Sequence, residues 1–357
     1  MSAYTFILPA LRCLPPEAAH KLTIKALSLG LGPKDRTPDD PSLATSVWGL
    51  NFPNPIGLSA GFDKGAQVPN RMLAAGFGFV EAGTVTPLPQ KGNPKPRMFR
   101  LNKDQAAINR LGFNGTGLSP YVRRISSRYK GAGLLGANVG KNKATIDGAG
   151  DYEIGIEAVA KYVDYLVINI SSPNTPGLRT MQNRENLIQL IQRAKGARAR
   201  AVSDVSRHPP LIVKIAPDLS NEERADIASV ITEHEIDGLT VANTTVARPK
   251  GLRDPKANEE GGLSGAPLFP MAIKMVEDMY KRTEGRVQII GSGGIASGAD
   301  AYAMIRAGAS LVQLYTALVF GGPSLIPKIK HDLAFLLAKD GFKSVNNAVG
   351  TNVRMVE

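Results

Sequence analysis

From residue 55 onward, short apolar runs rich in Val, Ile and Gly alternate with longer segments of mixed polarity. The runs predict strands at Ile56 to Leu58, Phe79 to Glu81, Leu134 to Ala137, Tyr165 to Ile168, Leu211 to Ile215, Gly238 to Val241, Val287 to Ile290 and Leu311 to Leu314. The stretches Asp151 to Tyr162, Asn183 to Val202, Asn221 to His234, Pro270 to Arg282 and Gly298 to Ala307 have helical length and spacing, several opening on Asp, Asn or Ser in cap position. Repeated β/α units with near-continuously apolar strands predict an α/β protein, a (β/α)8 TIM barrel in which outer helices bury a closed parallel sheet. A doubly wound open sheet is the alternative, but the Gly-x-Gly-x-x-Gly turn after its first strand is missing.

The first forty residues differ in pattern. Tyr4 to Leu14 and Pro16 to Leu29 read as two short helices broken at Pro15-Pro16, the second with Leu22, Ala26 and Leu29 on one face and His20, Lys21, Lys25 and Ser28 on the other. Such an amphipathic pair fits either a helix packed on the protein body or a foot on a membrane surface. The Gly32 to Pro41 linker divides it from the rest, giving an expected organisation of 1–40 and 41–357. Two connections, 85–133 and 243–269, are longer than a crossover requires, and long loops at the carboxyl ends of barrel strands carry function.

Charge and composition narrow the chemistry. The net charge of +12 points to an anionic partner, and residues 91 to 130 hold ten Lys or Arg against one acid, Asp104. A solvated basic face is the plainer reading of that stretch. One cysteine, Cys13, and four scattered histidines leave no basis for a disulfide framework or a metal site. No apolar run approaches the ~20 residues of a spanning helix, and the start is a poor signal peptide because Pro9 and Arg12 interrupt it.

Nearly every strand end delivers a polar group to the same rim: Ser59 to Lys64, Gly83-Thr84, Asn138, Asn169 with Ser171 to Asn174, Lys214, Asn243-Thr244, Gly293-Gly294 and Tyr315-Thr316. Each alone fits a turn or cap; their convergence predicts one active site. Gly291-Ser-Gly-Gly294 ahead of a helix, with Tyr315-Thr316, suits a phosphate on backbone N–H groups. Lys214 inside Val-Lys-Ile-Ala-Pro points a cation into the barrel mouth, either for a flavin that gains negative charge on reduction or for a neighbouring carboxylate. Asn109, Asn169, Asn174 and Asn243 offer paired donors and acceptors that match the N–H and C=O edge of a pyrimidine-dione, with Lys64 available for a carboxylate. Ser172 is the remaining reactive side chain. It would remove a carbon-bound proton as hydride leaves the adjacent carbon, although serine is a weak base without a relay, and no nearby histidine supports a hydrolase triad.

At this point the chain resembles the dihydroorotate dehydrogenases of the membrane-associated, quinone-reducing class. The resemblance rests on Gly57 to Lys64, Asn93 to Arg100, Asn109 to Phe113, Asn169 to Arg179, Ala242 to Thr245, Gly261 to Gly265 and Gly291 to Ile295, in order and at barrel spacing. It implies oxidation of (S)-dihydroorotate to orotate in de novo pyrimidine biosynthesis, with bound FMN as carrier and ubiquinone or menaquinone as final acceptor. By the same resemblance Ala60, Gly61, Phe62, Asp63, Lys64, Thr84, Asn138, Asn169, Lys214, Ala242, Gly265, Gly294, Tyr315 and Thr316 would hold FMN. Lys64, Asn109, Arg110, Leu111, Gly112, Phe113, Asn169, Asn174, Asn243 and Thr244 would hold dihydroorotate, and Ser172 would be the base. Soluble relatives use a cysteine base, and the only cysteine here is Cys13.

The family also turns the first forty residues into the mouth of an apolar quinone tunnel resting on the membrane. The expected location is peripheral, on the cytoplasmic face of the bacterial inner membrane, with no nucleic-acid partner. Ala242 departs from a frequent Thr or Ser, leaving only a backbone contact to flavin there. A dihydrouridine synthase acting on RNA is the rival on the same fold, but it wants a cysteine acid near the flavin. A non-catalytic basic membrane- or nucleic-acid-binding protein is the rival outside catalysis.

Overall fold

The computed structural model describes residues 11–354. Eight parallel strands close into a barrel: β1 (Ile56–Leu58), β2 (Phe79–Val85), β3 (Leu134–Val139), β4 (Tyr165–Asn169), β5 (Leu211–Ile215), β6 (Gly238–Val241), β7 (Gln288–Ser292) and β8 (Leu311–Leu314), with β8 pairing back onto β1. Each predicted strand is present, most of them within a residue or two of the expected ends. The helices Gly148–Val159, Arg184–Ala201, Asn221–Glu233, Phe269–Arg282 and Gly298–Arg306 follow the expected segments. Their starts have local causes: Ser220 and Glu223 form a reciprocal capping box, and Ser297 accepts from the backbone of Asp300 at 3.1 Å.

The strand interiors divide into two layers. At the amino ends, Phe79, Tyr165, Val167, Ile212, Ile290 and Leu311 pack with Val47 and Phe52. The last two belong to an antiparallel hairpin, Thr45–Val47 with Leu50–Phe52, whose Trp48-Gly49 turn takes positive φ at both residues, as a two-residue hairpin requires. Trp48 donates its indole N–H to the Asp237 carbonyl at 2.7 Å, so the hairpin plugs the barrel floor. Gly57 and Gly136 admit the rings: a Cβ would lie 2.2 Å from Phe79 and 2.1 Å from Tyr165. Each large apolar side chain buried there contributes about 1.5–3 kcal/mol.

At the carboxyl ends the interior turns polar. Glu81, Asn138, Asn169, Lys214, Thr240 and Gln313 are all buried. Glu81 accepts from Asn138 Nδ2 at 2.7 Å and from Gln313 Nε2 at 2.8 Å, which joins β2, β3 and β8 across the lumen.

The two long connections pair with each other. Met98–Leu101, Ala106–Asn109 and Gly262–Gly265 make a three-stranded antiparallel sheet above the barrel mouth. The arginines of the basic stretch within the first connection are mostly turned onto the protein, while its lysines are exposed: Arg97 pairs with Glu17, Arg110 with Glu259, and Arg100, Arg124 and Arg128 bond to Arg12 O, Gly65 O and Asn70 Oδ1. A wholly solvated basic face is therefore not what these arginines form.

The second N-terminal helix spans Pro16–Ser28, with Pro at its first position. Residues 11–13 are also helical, Leu14 already lies past the helix end, and positions 4–10 of the expected Tyr4 to Leu14 helix lie outside the described residues. Ala19, Ile24 and Leu27 are buried against the body, while Leu22 and Leu29 face outward. His20, expected on the polar outer face, lies four residues from Ile24 and turns inward with it. Around the expected boundary near residue 40, Lys330 reaches Asp35 at 2.7 Å and Asp39 at 2.5 Å, and Asn54 donates to Asp39 at 2.6 Å. These bonds strap the linker to the Leu325–Lys339 helix and the barrel.

Candidate active site

A cleft of about 700 Å³ opens at the carboxyl ends of the strands, beneath the three-stranded sheet. On one side, Ser292 to Ala296 at the end of β7, and Leu314 to Ala317 with Val319 to Gly321 at the end of β8, line it. Gly293 and Gly294 have φ of 126° and 78°, and a Cβ on Gly294 would lie 2.6 Å from the Phe269 backbone nitrogen. The backbone itself therefore forms this wall. Gly265, on the facing sheet, has the same constraint, since its Cβ would lie 2.4 Å from the Gln105 carbonyl. Thr316 donates to Ser264 Oγ at 2.9 Å, tying the two walls together.

Lys214 rises from β5 at the cleft floor. Among the described residues its ammonium has one hydrogen-bond partner, Ser59 Oγ at 3.4 Å, and no carboxylate within ion-pair distance. Burial pushes its pKa down, and the nearby Glu81 charge opposes that. Gln313 Oε1, from β8, is buried with no hydrogen-bond partner among the described residues. A buried cation lacking a counter-ion, beside an orphaned acceptor and a glycine wall, fits a planar, electron-accepting ring with a phosphate tail.

The other side of the cleft is built from amides. Asn169 donates to Thr84 Oγ1 at 2.8 Å and to Asn138 Oδ1 at 3.2 Å; its own oxygen accepts from Ser171 Oγ at 3.0 Å and Asn243 Nδ2 at 3.4 Å. Asn174 reaches the carbonyl of Asn109 at 3.1 Å. Arg179 holds the loop by donating to Ser171 O and Thr244 O, both at 3.2 Å, and by pairing with Asp218 at 3.0 Å. Ser172, between these anchors, is buried and lines the cleft, with its Oγ accepting from Asn174 N at 3.3 Å. Three residues on, Thr175 buries a hydroxyl that meets no partner among the described residues.

Lys64 donates to Asn114 Oδ1 at 2.6 Å. Burial first, and then the Arg97 guanidinium, pull its pKa down to about 8.

Of the residues expected here, Ala60, Gly61, Lys64, Thr84, Asn109, Leu111, Gly112, Phe113, Asn169, Ser172, Asn174, Lys214, Ala242, Asn243, Thr244, Gly265, Gly294, Tyr315 and Thr316 line the cleft together. Four side chains lie elsewhere. Asp63 turns back to accept from Gln67 N and Val68 N at 2.8 and 2.7 Å, and so shapes the loop. Asn138 is one layer down, carrying hydrogen bonds between Glu81, Thr84 and Asn169. Arg110 points outward over the Phe99 ring to Glu259. Phe62 stacks edge-on against His20 and Tyr315. Sequence reasoning missed Gln105, Ser264 and Gln313 in the lining. It also read Thr175 only as part of a turn, and its buried hydroxyl shows only in the folded chain.

A second cavity, about 180 Å³, runs between the Pro16–Ser28 helix and the barrel. Ala19, Leu27, Phe62, Phe77, Leu318 and Ile326 make it apolar, with Arg12, His20, Thr23 and Arg100 among its polar marks. Burial lowers the His20 pKa to about 4, so the ring is neutral at neutral pH. Tyr315, Ala107, Met98 and Val319 line both cavities, and the two meet at that wall. Among the described residues no group of three or more His, Cys, Asp or Glu is placed to hold a metal ion.

A polar, cation-floored cleft at the barrel mouth joined to an apolar side channel defines the class of barrel oxidoreductases that exchange electrons between two unlike substrates. The dihydroorotate dehydrogenase family model matches residues 42–337, and the chain belongs to that family. It is 53% identical to the dihydroorotate dehydrogenase (quinone) of Azorhizobium caulinodans, covering 99% of this chain and all of that one. It is 47% identical to the mitochondrial dihydroorotate dehydrogenase (quinone) of Arabidopsis thaliana, over 97% of this chain and 81% of that protein. The Eimeria tenella DHODH crystallised with ferulenol superposes with a TM-score of 0.91 at 46% identity, covering 94% of this chain and 95% of that one.

Proposed function

We propose that the chain oxidises (S)-dihydroorotate to orotate in pyrimidine biosynthesis, with FMN as bound carrier and a membrane quinone, ubiquinone or menaquinone, as acceptor. The meeting of cleft and channel at Tyr315 carries this reading: it provides one route for a polar substrate and another for an apolar oxidant. When bound, FMN supplies the centre that accepts hydride and later gives up electrons.

The chain's own residues do the rest. The Gly293-Gly294 wall with Tyr315 and Thr316 would take the phosphate, and Lys214 would face the ring edge that becomes negative on reduction. Asn109, Asn174, Asn243 and Thr244 would orient the substrate's amide edges, and Lys64 its carboxylate. Ser172 would remove the carbon-bound proton, and Thr175 is placed in sequence to pass it on.

The reading extends to a peripheral seat on the cytoplasmic face of a bacterial inner membrane. Leu22 is exposed beside Lys21 and Lys25 on the helix that walls the channel, and Leu29 and Leu31 are exposed just past its end, which suits contact with an anionic lipid surface. Among the described residues no helix is long and apolar enough to cross a membrane.

The test is a paired half-reaction. Dihydroorotate bleaches the flavin of the purified protein anaerobically, and a quinone restores its colour; failure of both steps on flavin-loaded protein overturns the assignment.

A further inference from the structure

The Pro16–Ser28 helix walls the channel, yet one of its side chains reaches toward the opposite, substrate side. Glu17 takes two hydrogen bonds from Arg97, at 3.2 Å from Nε and 2.7 Å from Nη2. Arg97 is 7% exposed and Glu17 18%, so the pair is largely out of water. The remaining Arg97 nitrogen donates to Lys91 O at 2.6 Å and Asn93 O at 2.8 Å. Asn93 in turn donates to Arg110 O at 3.0 Å and to Asn174 O at 3.1 Å, inside the loop that carries Ser172. Arg97 and Asn114 both flank Gly92, whose Cβ would lie 2.9 Å from Arg97 Nη1 and 2.8 Å from Asn114 Cβ. Asn114 is the residue that holds Lys64.

We propose that Glu17 is a positioning residue for the substrate side of the cleft, acting through Arg97 and Asn93 to hold the Asn174 loop that carries Ser172. The inference rests on the dihydroorotate reading above and adds to it a coupling between the channel wall and substrate binding.

Electrostatics point the same way. The charged groups that act on Lys64 are Arg97 from the connection after β2 and Glu17 from the helix; His20, which Lys64 itself influences, is neutral near pH 7. Arg97 disfavours the ammonium and Glu17 favours it. Without the Glu17 charge, Arg97 stands uncompensated in a buried setting, and Lys64 loses its proton at lower pH. A carboxylate-binding lysine that is less often charged binds its ligand more weakly.

The experiment compares wild type, Glu17→Gln and Glu17→Asp as flavin-loaded proteins, following anaerobic flavin reduction by dihydroorotate across pH. Glu17→Gln is expected to weaken dihydroorotate binding roughly fivefold at neutral pH, at the lower end of typical site-to-site couplings, with little change in the limiting reduction rate. The alkaline loss of binding is expected to move down by about half a pH unit or more, and Glu17→Asp, which keeps the charge, to restore most of the wild-type profile. Unchanged affinity and pH profile in Glu17→Gln overturns the proposal while leaving the functional reading intact. Equal loss in both variants with an unmoved pH profile also overturns it, by reducing Glu17 to a structural contact. A wild-type flavin that dihydroorotate does not reduce overturns the functional reading itself.

Discussion

The side-chain amide of Asn174 donates to the backbone carbonyl of Asn109 at 3.1 Å, across 65 positions of sequence. The bond fastens the loop after β4 to the connection after β2. Arg179 fastens the same loop to the β6 end through Thr244. The substrate side is therefore a joint product of three loops, and Ser172 is held at their junction.

Ser172→Ala is expected to slow flavin reduction by dihydroorotate about 10²-fold or more, a typical general-base contribution. Stopped-flow absorbance at neutral pH measures it. A near wild-type rate removes Ser172 from its role.

The affinity of the free enzyme for dihydroorotate is expected to fall as pH rises through about 8, where the half-buried Lys64 gives up its charge. The sign follows from the direction of the shift: the cation is present below the lowered pKa and absent above it. Titration of binding against pH reads this directly, and constant affinity up to the ordinary lysine value of 10.5 contradicts it.

Lys214→Gln is expected to make the bound flavin harder to reduce, because a fixed cation that favours the reduced ring is gone. A fall in midpoint potential of roughly 30 mV or more corresponds to about 1.4 kcal/mol for a two-electron couple. An unchanged potential in flavin-loaded protein argues that Lys214 does not face the ring.

Thr23 lines the apolar channel from the N-terminal helix. Thr23→Trp is expected to reduce turnover with quinone while leaving reduction by dihydroorotate near wild type. Equal loss in both half-reactions would show that the channel is not the oxidant's path.

Lys330→Met leaves Asp35 and Asp39 without their shared cation and is expected to cost about 3 kcal/mol or more, as loss of one partner from a buried ion pair does. Arg184→Met, at an exposed pair with Glu233, is expected to cost under about 1 kcal/mol. Chemical denaturation of the two variants side by side tests the contrast.

The sequence by itself determined the barrel and the rim, because strand ends are local facts: an apolar run of Val and Ile needs burial, and the next polar residue falls at its carboxyl end. Ser172, Asn169, Lys214 and Thr316 were legible that way. The interior polar layer was not, since Glu81 and Gln313 interrupt apolar runs singly and only ring closure shows them facing one another. The sheet joining residues 98–109 to 262–265 was equally hidden, because nothing local in either connection names its partner. Tertiary structure alone turned His20 inward, sent Asp63 and Arg110 away from the cleft, and gave Arg97 its partner in Glu17. The physical reason is that a side chain's direction is decided by the contact it satisfies in the folded chain: Arg97 and Arg110 find carboxylates 80 and 149 positions away, His20 meets Phe62 and Tyr315, and Asp63 caps the backbone of its own loop.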